Sequence, residues 1–145
     1  MIVLSCIIPG QPVPKGRPRA FIVGKGSRRF ARFYTPAKTV DAEKALAEQV
    51  MLCTGGRALP IQNSVRVMLT FRSGRRPGRG ADLDNLVKLV LDALNGVIWS
   101  DDRQVVELHA IARPAEGAPC TELRVETAEE SEAEEMPGPV EETFG

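Results

Sequence analysis

Apolar and polar residues alternate along some stretches of the chain and recur at helical spacing along others, and the switches between the two mark its elements. Residues 1–9 are mostly apolar and end at Pro9-Gly10, which predicts a short buried strand. Periodicity then stops. Residues 10–37 carry Pro12, Pro14, Pro18, Pro36 and four glycines. Missing donors and a loosened backbone predict a long irregular arm, functional or disordered at that length. Thr39 to Cys53 predicts a helix. Thr39 is placed to cap it, Asp41 and Glu43 lie early, alanines favour it, and Gly55-Gly56 stops it. From Ser64 to Arg72 the alternation is clean: Val65, Val67, Leu69 and Phe71 face one way, Arg66, Met68, Thr70 and Arg72 the other. That is a half-buried strand with two arginines facing out. Asp82 to Asn95 predicts a second helix, stopped by Gly96, and Gln104–Arg113 and Thr121–Glu126 two further strands. Residues 128–145 are acidic and too poor in apolar residues to build a core, which predicts a disordered tail. The expected fold is a single small α/β (mixed α+β) domain over residues 1–127. Its approximate order is β-α-β-α-β-β, with a mixed sheet packed by two helices.

Charge changes this picture. Lys and Arg total 19, as do Asp and Glu, yet seven of the acids lie in residues 128–145, leaving residues 1–127 at net +7. From Met1 to Val40 there are eight bases and no acid; from Gln49 to Ala81 there are six more and no acid. Such blocks suit a polyanion, because phosphate contacts release counterions and dominate affinity; a solvated, solubilising surface is the plainer explanation of either block alone. Phe21, Phe30, Phe33 and Tyr34 are interleaved with the arginines of the arm. They can stack on unpaired bases or tuck the arm onto the core, and anchoring is the favoured role for most of them. No apolar run approaches the ~20 residues of a membrane span. The N-terminus has neither the basic start nor the cleavage site of a secretory signal. Cys6, Cys53 and Cys120 are odd in number, widely spaced and set in apolar surroundings. They read as core residues of a protein in a reducing cytoplasm, not as a disulfide framework or a zinc site.

The candidate chemistry sits on the second helix. At ~100° per residue, Asp84, Asn85, Lys88, Asp92 and Asn95 share one narrow stripe, and the remainder is apolar. Asp82 stands at the start, and Asp101-Asp102 follow a short loop later. Each aspartate alone has a structural explanation. Asp82 can cap the helix for roughly 0.5–2 kcal/mol. Asp84, Lys88 and Asp92 can form an ion-pair ladder worth tenths of a kcal/mol, and Asp101-Asp102 can be a turn. Together they suggest carboxylates converging at one end of a basic domain. Such a cluster is self-repelling unless a cation fills it, and hard oxygen donors select Mg²⁺ or Mn²⁺. Two such ions ~3.5–4 Å apart can clamp the attacking and leaving oxygens of a phosphodiester. Gly24-Lys25-Gly26-Ser27 lacks the spacing and following helix of a phosphate loop. Asp82-Leu83-Asp84-Asn85 lacks the turn glycine of a calcium-binding EF-hand. His109, the only histidine, is not read as catalytic.

These residues resemble a known family. Asp82-Leu83-Asp84-Asn85-Leu86-Val87-Lys88, then Asp92-Ala93-Leu94-Asn95-Gly96, then Trp99-Ser100-Asp101-Asp102-Arg103-Gln104-Val105 look like the signature of RusA-type Holliday junction resolvases. Ile8-Pro9-Gly10, Pro14-Lys15-Gly16-Arg17-Pro18-Arg19 and Tyr34-Thr35-Pro36 fit as well, so the likeness runs in order over roughly residues 3–126. It implies a small homodimeric α/β endonuclease that needs Mg²⁺, with Mn²⁺ as a possible substitute. Such an enzyme binds four-way DNA junctions and nicks two strands of like polarity symmetrically, in recombination and repair. Carried over by position, Asp82, Asp84 and Asp102 resemble the metal-binding catalytic set, with Asp101 adjacent, and Lys88 resembles the essential lysine. Lys15, Arg17, Arg19, Arg28, Arg29, Arg72, Arg75, Arg76 and Arg79 are the candidate DNA contacts. Competing readings are a nuclease for flaps, forks or RNA, a non-catalytic module that binds DNA structures, and an adaptor acting through the acidic tail.

Overall fold

The computed structural model describes residues 1–56, 59–76 and 80–128. In chain order these form β1 (Ile2–Pro9), β2 (Arg19–Val23), β3 (Phe30–Tyr34), α1 (Ala37–Cys53), β4 (Val65–Ser73), α2 (Leu83–Leu94), β5 (Val105–Pro114) and β6 (Cys120–Thr127). Strands β1, β6, β4 and β5 lie side by side in that order, β4 and β5 parallel and the other neighbours antiparallel. The sheet is therefore mixed, as the patterning predicts, and the expected order of elements holds once β2 and β3 are added.

Alternation along the strands decides the layering. Val65, Val67, Leu69 and Phe71 of β4, Leu4, Cys6 and Ile8 of β1, and Leu123 and Val125 of β6 all bury their side chains on one face. Val50 of α1 and Leu86, Val87, Val90 and Leu94 of α2 close over them. Trp99 is wholly buried in this core, and its indole N–H donates to Asn95 Oδ1 at 2.9 Å, so the buried donor is satisfied. The opposite face is a polar lattice. Arg66 pairs with Glu107 and Glu126, Arg72 with Glu122, and Arg124 with Glu126.

The parallel pair fixes the two ends of the molecule. β4 runs from Val65 to Ser73, α2 carries the chain back, and β5 restarts with Val105 beside Val65 and ends with Pro114 beside Ser73. The N-terminus of α2 therefore belongs to the Ser73 end of the sheet. Its C-terminus and the Asp101-Asp102 pair belong to the Val65 end.

Four expectations are corrected. The arm is not irregular throughout: Arg19–Val23 and Phe30–Tyr34 pair as an antiparallel ribbon. No proline falls between Pro18 and Pro36, so this stretch can form a ladder. Gly24 makes the turn at φ +96°, where a Cβ would lie 2.3 Å from the Arg28 carbonyl oxygen. The aromatics of the ribbon do not anchor it, because Phe21, Phe30, Phe33 and Tyr34 are all exposed. Thr39 does not cap α1, which starts at Ala37 after Pro36; its buried hydroxyl accepts instead from the Gly16 N–H at 2.9 Å. Finally, Cys6 and Cys53 form a disulfide, with Cα atoms 6.1 Å apart, while Cys120 is free. The end of α1 lands on β1, a pairing that a separation of 47 residues hides from the sequence. The tail from residue 129 and Arg79 lie outside the described residues.

Candidate active site

Asp82 occupies the N-cap position of α2, and its side chain makes no capping hydrogen bond. Its carbonyl accepts the N–H groups of Asn85 and Leu86, so the backbone, not the carboxylate, begins the helix. Asp84 follows in the first turn, where the positive end of the helix dipole suits negative charge. Lys88 projects one turn later on the same exposed stripe. The ion-pair ladder is not formed: among the described residues Lys88 has no hydrogen bond or ion pair, and Asp92 pairs elsewhere.

The partner of Asp92 is Lys15. Its ammonium bonds to the Asp92 carboxylate on α2 and lies 3.2 Å from Glu43 Oε1 on α1. The hydrogen bond to Asp92 raises its pKa above the ordinary lysine value, with Glu43 adding and burial opposing. The Lys15 N–H donates to the Asn85 carbonyl at 2.9 Å, and the next residue, Gly16, is held by Thr39. A Cβ on Gly16 would lie 2.6 Å from that hydroxyl, so glycine is what lets the strand of backbone approach. Residues 15–16 thus form a strap across both helices. Together with Arg17 and Pro18, the strap walls a cleft of about 300 Å³ whose other side is Asp82, Asp84, Asn85 and Lys88.

Asp101 and Asp102 do not enter this cleft. They follow the C-terminal end of α2, whose twelve residues span about 18 Å. Asp101 accepts from the Arg103 backbone and bonds its guanidinium, while Gln104 completes a reciprocal cap. These bonds, the Arg103 side chain first, hold its pKa down at about 2. Asp102 is exposed at the first position of the 3-10 turn Asp102–Gln104. Among the described residues no three His, Cys, Asp or Glu side chains gather as a metal cage. Asp82 and Asp84 are nevertheless a donor set that fits a hard cation: Mg²⁺ is commonly held by one or two carboxylates, its own waters and a substrate phosphate.

A second groove, of about 600 Å³, opens at the same end of the sheet and is lined by Lys38, Arg75, Arg76 and Arg113, with no acid. A third, of about 370 Å³, adds Arg17 and Arg19 beside Lys38. Both grooves share Val13 and Pro14, next to the strap. Lys38 and Arg113 were not expected here; the signal for Lys38 is only the charge of its acid-free block, and Arg113, which lies outside both basic blocks, has none. Two expected contacts lie differently. Lys15 is neutralised within the strap, and Arg72 pairs with Glu122 at 3.0 Å on the outer face. Arg28 and Arg29 are exposed at the end of the ribbon, and no described helix is long and apolar enough to cross a membrane.

A family model described as endodeoxyribonuclease RusA matches residues 9–126. A protein of Bacillus subtilis (strain 168), described as uncharacterized protein YqaN, is 33% identical over 123 residues, spanning 72% of this chain and 85% of the relative.

Proposed function

The chain belongs to the endodeoxyribonuclease RusA family, and from that premise we propose that it is a Mg²⁺-dependent endonuclease, able to use Mn²⁺, that resolves four-way DNA junctions by paired nicks. The observation that carries this reading is the cleft at the start of α2. Among the described residues two carboxylates and an ammonium there are engaged in no structural bond, beside Arg17 and the basic groove of Lys38, Arg75, Arg76 and Arg113. A domain that only bound DNA would gain nothing from Asp82 and Asp84, which repel phosphate.

In this reading Asp82 and Asp84 hold the cation. When bound, it supplies a Lewis acid and a water made nucleophilic at neutral pH. Lys88, one turn from Asp84, sets its ammonium where charge grows on the non-bridging oxygens of the scissile phosphate. The strap excludes bulk water from one side. Arg17, Arg75, Arg76, Lys38 and Arg113 grip neighbouring phosphates, which positions the backbone without reading base sequence. Asp102, with Asp101 fixing its turn, completes the site across a homodimer. A helix length keeps Asp102 from Asp82 within one chain, whereas a two-fold partner can bring its own to the cleft. Symmetric dimers also match the two-fold symmetry of a junction and of its paired incisions. Recombination and repair in the cytoplasm are the setting this activity implies. There the Cys6–Cys53 disulfide would be exposed to reduction.

The test is a panel of labelled four-way junction, fork, flap and linear duplex, incubated with Mg²⁺ or with EDTA. Paired symmetric incisions on the junction, with Mg²⁺ only, are expected. Equal cutting of all branched substrates would move the assignment to a general branch nuclease, and cutting in EDTA would remove the metal from it.

A further inference from the structure

The β2–β3 ribbon stands apart from the sheet and the helices. Nine of its ten strand residues are exposed. A two-stranded ribbon is marginal in water by itself, yet this one leaves Ile22 71% and Phe33 72% exposed. Its register sorts the side chains. Arg19 and Tyr34, Phe21 and Arg32, and Val23 and Phe30 are cross-strand pairs on one face; Ala20 and Phe33, and Ile22 and Ala31, are pairs on the other. On the first face the rings are occupied. Phe21 and Tyr34 meet edge to face at 5.7 Å, and the Arg32 guanidinium lies 5.7 Å from the Phe30 ring centre. The second face carries no charge, and among the described residues its ring, Phe33, has no aromatic or cationic partner. The ribbon and its turn carry Arg19 and Arg32 on the first face and Lys25, Arg28 and Arg29 between the strands, with no acid before Asp41.

We propose that the ribbon is a branch-point wedge. Phe33, flanked by Ile22, packs on the bases unstacked at the centre of a branched DNA, while Arg19, Arg32 and the bases of the turn hold the flanking phosphates. The proposal rests on the reading of the chain as a branched-DNA nuclease and adds the element that selects the branch. Apolar wedges enter DNA where a base step is opened, and at a branch the stacking is already interrupted. An aromatic ring stacks on any base, so such a wedge reads structure and tolerates sequence. Charge favours DNA over a second copy of this chain as the occupant. Docking two small ribbons face to face gathers ten cationic side chains with no counter-charge, whereas a phosphate backbone neutralises them.

The experiment uses the full chain in EDTA with a four-way junction carrying 2-aminopurine at the branch. Wild type is expected to raise the fluorescence on binding. Phe33→Ala, an exposed position whose loss leaves the core intact, should abolish the rise and weaken junction binding roughly tenfold or more. Its affinity for linear duplex should not change, and Phe33→Trp should restore both signals. Unchanged fluorescence and junction affinity in Phe33→Ala would overturn the wedge and leave the nuclease reading standing. So would a variant whose sole defect, by sedimentation, is loss of self-association; the ribbon would then be a contact between copies. A wild-type chain that prefers no junction over duplex and cuts none with Mg²⁺ overturns the nuclease reading itself, and shows it without any variant.

Discussion

Asp82 holds the position from which a carboxylate ordinarily caps a helix, and it makes no such bond. Asp82→Asn is therefore expected to leave stability within about 0.5 kcal/mol of wild type, measured by urea unfolding. In Mg²⁺ the same change should abolish nicking while junction affinity, read by gel shift, is kept or increased, since a charge that repels phosphate is gone. Asp101 is the contrasting case. Its carboxyl is lowered from 3.8 to about 2, first by the Arg103 side chain. A folded pKa below the unfolded one contributes stability above about pH 3.8 and loses it as pH falls through about 2. A carbon-13 titration of the Asp101 carboxyl should show that low midpoint, and Arg103→Ala should return it towards the ordinary value. The spacing of Asp82, Asp84 and Lys88 could be read from the sequence because one helical turn brings them together. The double pairing of Lys15 could not. Its partners Glu43 and Asp92 belong to two different helices, the second 77 residues away, and nothing local marks the choice.

The long, strictly alternating or strongly amphipathic elements, β4 and α2, match their expected limits to within a residue or two. Their pattern is set by one buried face, which the sequence displays directly. The ribbon was hidden for the opposite reason. It buries neither face, so the hydrophobic pattern carries no signal, and the prolines on both sides suggested loop. The disulfide was hidden by distance along the chain. It closes a loop with a separation of 47 residues, for which chain-entropy reasoning gives about 4 kcal/mol of stabilisation. Cys53→Ser should lower the urea midpoint of the oxidised protein accordingly, and excess reductant should bring wild type down to the variant. A midpoint that does not respond to reductant would mean that the bridge constrains nothing in solution.

Across the whole molecule, the crossover from β4 through α2 to β5 places Asp82 and Asp102 at opposite ends of the sheet. The sequence suggested one cluster because the aspartates are close in number; helix length separates them in space. If Asp102 serves a partner's cleft, Asp82→Asn and Asp102→Asn chains, each inactive alone, should regain single-strand nicking when mixed. One of the two clefts in a mixed dimer is then complete. Silence in the mixture would place both aspartates in service of the same chain. The basic grooves lie at the Asp82 end. Arg75→Glu with Arg76→Glu should weaken junction binding and reduce the slope of log affinity against log salt by about 2, near one unit per lost phosphate contact. An unchanged slope would remove that groove from the DNA path.

The strap and the ribbon are the same stretch of chain. Arg17 walls the cleft, Arg19 opens β2, and only Pro18, whose ring fixes one backbone torsion, stands between them. Any load on the ribbon is therefore felt at the wall beside Asp84 with little slack to absorb it. If the ribbon grips DNA as proposed, grasp and incision are mechanically linked, and a DNA that fails to engage the ribbon also fails to set the blade.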